Sequence, residues 1–214
     1  FIIFIIMSKN ILIESIVKKI VNEAVSDKVV KQIHRFLVNK FKDGENAVED
    51  FLLVRDGEEV VITVYFAMEE VEDFNHPFSI EAGSEWDEID VFVEYRPDAF
   101  PKHMNELVSE LKETVEHEVE HVLQTFFEDK YVPYEDTENN LDYLTSAHEV
   151  PAYVKGLVAR ARHKKISLND AMEEWFRENI LKFDNPEEDW KIVKSKWMDY
   201  ANSTRQKNQI KKFK

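Results

Sequence analysis

Residues 104–127 read MNELVSELKETVEHEVEHVLQTFF. The apolar residues of this stretch recur at intervals of three and four, which is the spacing of one face of an α-helix. They are Met104, Leu107, Val108, Leu111, Val115, Val119, Val122, Leu123 and Phe126. The pattern predicts one long helix over residues 104–127 with a single apolar stripe along it.

Short strand patterns precede this helix. Residues 51–54 and 60–66 flank Asp56-Gly57, a turn pair that β-hairpins favour. Residues 78–82 and 89–95 are two further strand candidates. We expect three or four strands in one small, mostly antiparallel sheet.

Helical patterns occupy both ends of the chain. They cover residues 11–25, 29–41, 141–161, 168–181 and 186–201. Ser167 and Asn185 suit the starts of the last two helices, and Pro186 suits a first helical position. The order of helices, strands and then helices favours an α+β fold with segregated elements.

The composition excludes several kinds of site. The 214-residue chain has no cysteine, which excludes disulfides, cysteine nucleophiles and thiolate-bound metals. Its four glycines cannot form the usual phosphate-binding or dinucleotide-binding loops. A formal net charge of −15 opposes association with nucleic acid. Any metal ion must therefore be held by histidine and carboxylate side chains.

His117, Glu118 and His121 form an HExxH motif inside the long helix. Residues four apart share a helical face, so both imidazoles can reach one metal ion. Glu118 lies on the neighbouring face, where it can take a proton from a metal-bound water and pass it to a leaving amine. A bound metal ion lowers the pKa of such a water to about 7 and polarises a carbonyl group. The motif predicts metal-dependent hydrolysis.

Over residues 89–161, roughly, the chain resembles the zincin metallopeptidases. The metzincin subclass does not fit, because Gln124 and Phe127 occupy the positions where that subclass has Gly and His. The gluzincin subclass takes its third ligand from a Glu on a later helix, and Glu149 fits that pattern. The resemblance implies a Zn²⁺ ion bound by His117, His121 and Glu149, and a peptide or protein substrate.

Glu149 has two competitors as the third ligand, and its position also has another explanation. His148 and Asp142 are acceptable ligand types in the same region. Ser146 to Glu149 also spells a capping box, in which the glutamate bonds back to the start of a helix. Pro151 argues against that box, because a proline at the fifth helical position removes a backbone hydrogen bond.

Two supporting roles in the site are open to several residues. Tyr153 stands where many gluzincins have an Asp that orients a ligand His, so Asp142, Glu113 or a backbone carbonyl is needed for that role. A tetrahedral oxyanion also needs a donor besides the metal. Tyr153, Tyr143 and His148 qualify by position, and Tyr153 is our prediction for the catalytic donor.

Substrate binding is expected at the sheet. In zincins an edge strand near the metal pairs with an extended peptide. Residues 89–95 are the first candidate for that strand, and residues 78–82 are the alternative. The acidic residues between positions 128 and 142 form either a lid that prefers basic substrates or a solvated loop.

The motif and the charge pattern divide the chain into four parts. Residues 1–7 are treated as a leader or read-through, 8–44 as N-terminal helices, 45–205 as the zincin-like catalytic domain, and 206–214 as a basic tail. The apolar opening is far shorter than the ~20 residues that span a bilayer, so we expect no membrane anchor and a cytoplasmic protein.

Two other functions compete with a peptidase. One is a catalytically inactive zincin-like protein that binds a partner or forms part of a virion. The Ile-rich N-terminal helix is similar to the openings of tailed-phage proteins, which implies a phage origin. The other is a helical interaction protein in which the HExxH spacing has no metal-binding role.

Overall fold

A computed structural model describes most of the chain from residue 28 onward, with side chains up to residue 204. The described residues are 28–44, 46–55, 58–72, 75–99, 102–127 and 139–212. The helix predicted at 11–25, the Asp-Gly turn, and the leader at 1–7 lie outside them. Most of the acidic segment between positions 128 and 142 also lies outside them.

Four strands form one mixed sheet in the order β1-β2-β4-β3. The strands are β1 (Ala47–Arg55), β2 (Glu58–Glu70), β3 (Phe78–Glu85) and β4 (Glu88–Tyr95). The β1–β2 and β3–β4 pairs are antiparallel, whereas β2 and β4 run parallel. The α+β class and all four strands are confirmed, and one of the three pairings departs from the antiparallel expectation.

The edge strand differs from our first candidate. Residues 89–95 belong to β4, which is hydrogen-bonded to β2 on one side and to β3 on the other. The prediction that they form the substrate-pairing edge is therefore wrong. The reason is that the β3–β4 hairpin folds back and inserts its second strand beside β2. The alternative, residues 78–82, lies in β3 at the sheet edge.

Two helices cover one face of the sheet. Residues 28–43 form α1, and Met104–Phe127 form α2, as predicted for residues 104–127. Alternate strand residues on that face pack against both helices, as the two-residue period of a strand requires. They include Phe51, Leu53, Ile62, Val64, Phe66, Ile89, Val91 and Val93. One stripe of α2 thus lies on the sheet.

The C-terminal part is helical and has its own apolar cluster. It comprises α3 (Asn140–Leu144), α4 (Glu149–Lys164), α5 (Leu168–Asn179) and α6 (Pro186–Lys212). The cluster is built around Trp175, Trp190 and Trp197. None of the helices in the described ranges is both long and apolar enough to cross a membrane.

The sequence predicts the starts of these helices better than their continuity. Ser167 caps α5 in a full capping box, and Pro186 is the first residue of α6, both as predicted. The prediction of a single helix over 141–161 is wrong, because residues 145–148 are not helical and separate α3 from α4. Because α4 starts anew at Glu149, its first residue lies against His117 and His121 of α2.

A glycine allows α4 to lie unusually close to α2. A Cβ atom added at Gly156 would lie 2.7 Å from the backbone oxygen of Glu113. Real Cβ atoms do not approach a backbone oxygen so closely, so no larger side chain fits without moving one of the helices. Gly156 therefore fixes the spacing of α2 and α4.

Arg160 adds a buried ionic contact beside this glycine. Its side chain is only 2% exposed and lies 3.0 Å from Glu113 of α2. It also pairs with Glu174 and Glu178 of α5. A buried charge requires such partners, because unpaired it would be strongly destabilising. Arg160 therefore links three helices at one point.

The substitution Gly156→Ala should lower the free energy of unfolding by about 1–2 kcal/mol, net of the about 1 kcal/mol that alanine gains in a helix. Chemical denaturation monitored by circular dichroism measures the change. Gly83→Ala is the matched control, since a Cβ at Gly83 meets nothing within 4 Å. Equal stability of Gly156→Ala and the parent would contradict the close helix contact.

Candidate metal centre

The contact between α2 and α4 brings three predicted ligands together. His117 and His121 lie one turn apart on the side of α2 that faces α4. Glu149 is the first residue of α4 and lies opposite this pair. The three side chains offer one ligand atom each, and these atoms all lie within 4.8 Å of one another. In the described part of the chain this is the group of histidines and carboxylates that could hold a metal ion.

The distances in this group suit a tetrahedral metal ion. The two Nε2 atoms are 3.0 Å apart, and the Oε2 atom of Glu149 lies 3.4 Å from His117 Nε2 and 3.5 Å from His121 Nε2. Ligands 2.0–2.2 Å from zinc in a tetrahedron are about 3.3–3.6 Å from one another. The two distances to Glu149 match one face of such a tetrahedron, and the two nitrogens lie only about 0.3 Å closer together than its shortest edge.

The electrostatics of Glu149 also fit a metal ligand. The residue is 3% exposed, and its Oε2 atom has no hydrogen-bond donor among the described residues. Burial alone would raise the pKa of Glu149, but the adjoining imidazoles of His117 and His121 outweigh it and lower the pKa to about 2. An ionised, unsatisfied carboxylate that points at two imidazoles is the form in which glutamate binds metal.

Glu118 lies beside the histidine pair and contacts the sheet. Its side chain is 7% exposed, and its Oε2 atom accepts a 2.8 Å hydrogen bond from Ser84 Oγ. Ser84 belongs to the edge strand β3, whose alternate residues face α2. Ser84 is not among the predicted site residues, although its place in the alternation after Phe78, Ile80 and Ala82 marks it as facing α2. The predicted base is thus tied to the sheet edge.

Tyr153 and Tyr143 surround the ligands from the helical side. The ring of Tyr153 meets His117 edge-on at 4.7 Å and stacks on Trp197 at 5.0 Å. The hydroxyl of Tyr143 is hydrogen-bonded to Tyr153 and to the carboxylate of Glu149. Burial raises the pKa of both tyrosines, so both hydroxyls stay protonated. Tyr153 as an oxyanion donor stays a prediction.

The competing third ligands lie outside the converging group. The ring of His148 stacks on His121 with centroids 4.3 Å apart, and burial and the adjacent His121 lower the pKa of His148. Asp142 accepts a 2.9 Å hydrogen bond from Asn139 and helps to cap α3. Neither residue contributes a ligand atom to the group, so the geometry favours Glu149.

The capping box forms only in part. Ser146 Oγ accepts a hydrogen bond from the backbone N–H of Glu149 at 3.1 Å, but the Glu149 carboxylate points toward the histidines instead of back to Ser146. Because α4 begins at Glu149, Pro151 is its third residue. In the first turn no backbone hydrogen bond is lost, so placing Pro151 at a fifth helical position was wrong.

Glu113 does not orient a histidine as one of our candidates required. Its carboxylate is bound to Arg160, so it serves the contact between α2 and α4. Burial raises the pKa of Glu113, while the charge of Arg160 acts in the opposite direction. Of the three proposed orienting groups, Glu113 and Asp142 are thus engaged elsewhere.

Comparisons with known proteins find no relative: the chain matches no protein family, no curated protein and no solved structure. The case for a metal centre therefore depends on the sequence motif and on the geometry of the described residues. That geometry comes from two helices whose ligands are separated by 27 residues in sequence.

The lowered pKa of Glu149 predicts a pH dependence in chelator-treated protein. A carboxyl whose pKa falls from 4.5 to about 2 on folding stabilises the protein above pH 4.5, and this contribution is lost as the pH falls toward 2. From pH 5 to pH 3 the loss should be about 2 kcal/mol. Glu149→Gln lacks this titration, so the stability difference between parent and variant should shrink by that amount. A difference that is constant with pH would contradict the ionised Glu149.

Proposed function

We propose that this protein is a zinc-dependent metallopeptidase of the gluzincin type. His117, His121 and Glu149 would hold Zn²⁺, and Glu118 would act as the general base. The convergence of the three ligand atoms, at distances close to those of a tetrahedral face, is the observation that carries the proposal. A zincin-like fold is part of it: a mixed sheet lies along the helix that carries HExxH, and the third ligand comes from a later helix.

The chemistry is divided between the ion and Glu118. When bound, zinc lowers the pKa of a coordinated water to about 7 and polarises the substrate carbonyl. Glu118 accepts the proton of the attacking water and returns it to the leaving amine. The hydrogen bond from Ser84 holds the Glu118 carboxylate beside the histidine pair. The second carboxylate oxygen of Glu118, Oε1, would accept the hydrogen bond from the attacking water.

The edge strand β3 supports a peptide substrate. It pairs with β4 on one side only, so its other backbone edge has no partner strand in the described sheet. An extended peptide can add to such an edge through main-chain hydrogen bonds. Because Ser84 of β3 contacts Glu118, a peptide on this edge would pass close to the general base.

Oxyanion stabilisation is assigned to Tyr153, as the sequence predicts. To donate a hydrogen bond to the substrate, the hydroxyl of Tyr153 must give up its hydrogen bond with Tyr143. The edge-on contact of its ring with His117 places it at the ligand shell, and stacking on Trp197 holds the ring in place. Its phenol stays protonated, which a donor requires.

The first test combines metal content with hydrolysis. After incubation with zinc and removal of the excess, elemental analysis should find one zinc per chain in the parent and in Glu118→Gln. His117→Ala and Glu149→Ala should bind zinc at least 10-fold more weakly. On unstructured protein substrates, Glu118→Gln should lose at least about 100-fold in kcat/KM, because a general base is typically worth 10²–10⁴.

Each part of this test can fail separately. A parent that binds no zinc would contradict the metal centre itself. Zinc binding with full activity in Glu118→Gln would contradict the assigned base. Zinc binding without hydrolysis by the parent would leave a zincin-like binding protein as the better account.

The charge of the sheet predicts a preference for basic peptides. Residues 56–95 contain 13 acidic residues and no lysine or arginine. The exposed side chains of β3 include Glu81 and Glu85. In peptide pairs that differ only by Lys or Glu beside the cleaved bond, the Lys peptide should have about 3- to 10-fold higher kcat/KM at low salt. The ratio should fall as salt rises.

The double variant Glu81→Gln/Glu85→Gln is the control for this preference. Its ratio of kcat/KM between the two peptides should approach one, while its zinc content should equal that of the parent. An unchanged ratio would show that the preference has another origin.

A further inference from the structure

Gln124 is a buried amide that links the two halves of the candidate metal centre. It follows His121 by three residues on α2, and it is 4% exposed. Its Oε1 atom lies 3.4 Å from Nδ1 of His121. Its Nε2 atom donates a 3.0 Å hydrogen bond to the backbone oxygen of His148, which directly precedes Glu149 and α4.

The contact with His148 fixes the orientation of the amide. A backbone carbonyl oxygen only accepts hydrogen bonds, so the NH₂ group of Gln124 must face His148. The amide oxygen then faces His121 and accepts a hydrogen bond from its Nδ1–H group. This bond selects the tautomer in which Nε2 of His121 carries a lone pair. That lone pair is directed toward His117 and Glu149.

The other candidates for this role are engaged elsewhere. Ligand histidines normally donate their second N–H to a carboxylate or a carbonyl. Asp142 helps to cap α3, and Glu113 is bound to Arg160. Gln124 supplies a carbonyl oxygen from a side chain that is neutral, so it adds no further charge to a pocket already holding the ionised Glu149.

We propose that Gln124 is a positioning residue of the metal centre: it sets the tautomer and ring orientation of His121 for metal binding and aligns that ligand with the start of α4. This inference rests on the proposed function. It concerns affinity for the metal, so it can be tested without a known substrate.

The test compares zinc affinity, by competition with a chromophoric chelator, among the parent, Gln124→Met and Gln124→Glu. Methionine keeps the apolar volume and removes both hydrogen bonds, so we expect zinc affinity to fall 10- to 100-fold. Glutamate keeps an oxygen that accepts from His121, and its protonated form also donates to His148. Gln124→Glu should therefore stay within about 3-fold of the parent.

Thr125→Ala is the matched control. Thr125 Oγ1 donates to the backbone oxygen of His121 at 3.0 Å, so this variant also loses a hydrogen bond to His121 but leaves the ring contact intact. Its zinc affinity should equal that of the parent. The visible spectrum of the Co²⁺-loaded proteins should change in Gln124→Met and remain unchanged in Thr125→Ala, because it reports the geometry of the ligands.

The outcomes separate the proposals. Parent-like zinc affinity in Gln124→Met would overturn the positioning role. Equal losses in Gln124→Met and Gln124→Glu would overturn the assigned control of the His121 tautomer, because loss of the contact with His148 alone would then account for both. A parent that binds no zinc would instead remove the proposed function.

Should Gln124→Met not fold, a long-range ¹H–¹⁵N spectrum of the zinc-loaded parent tests the proposed tautomer of His121 directly. His121 must show a proton on Nδ1 and a metal bond at Nε2. The opposite tautomer would overturn the proposal.

Discussion

The close contact between α2 and α4 is the constraint on which the candidate site depends. Gly156 lets the backbones approach until only a hydrogen atom fits against Glu113, and Arg160 is buried there with carboxylates from two helices. One apolar cluster joins the sheet, α1 and α2, and another joins the C-terminal helices. The candidate ligands lie where these clusters meet, two on α2 and Glu149 on α4. A looser contact would leave the histidine pair with an incomplete ligand set.

Each candidate ligand also contacts a neighbouring side chain that holds it in place. The ring of Tyr153 packs against His117, the amide of Gln124 faces His121, and the hydroxyl of Tyr143 bonds Glu149. Neutral groups provide all three supports, so the pocket keeps one ionised carboxylate facing two imidazoles. A metal ion entering it would meet ligands that are already oriented, which lowers the entropy lost on binding. Buried polar groups in such an arrangement are costly unless a partner satisfies them, and the free Oε2 of Glu149 is the atom left for the ion.

Local sequence patterns predict some of the helices, strands and site residues and leave others open. The spacing of His117 and His121 predicts their convergence, because a single helix determines it. Residue patterns also predict α2, the start of α5 and the four strands. The role of Glu149 was open, since a capping box and a ligand share the same local pattern and only packing on α2 separates them. The order of the strands was equally open, because alternation in β4 reveals its two faces but not its neighbours. Ser84 and Gln124 act across elements, so a local pattern shows at most which way the side chain faces and not which residue it bonds.

The position of α2 between the sheet and α4 separates the two tasks of the site. The side that faces α4 carries the candidate ligand histidines, whereas Glu118 accepts a hydrogen bond from Ser84 of β3. The contact between α2 and α4 therefore sets the geometry of the candidate ligands. The contact between α2 and the edge strand β3 sets the position of the candidate base, Glu118, relative to a peptide on that edge. Since Glu118 directly follows His117 on one rigid helix, α2 itself fixes the separation between the candidate base and the candidate ligands. A peptide strand added to β3 would lie beside the contact between Ser84 and Glu118, and its reacting carbonyl would have to reach from that edge to the histidine pair on the adjoining face of α2.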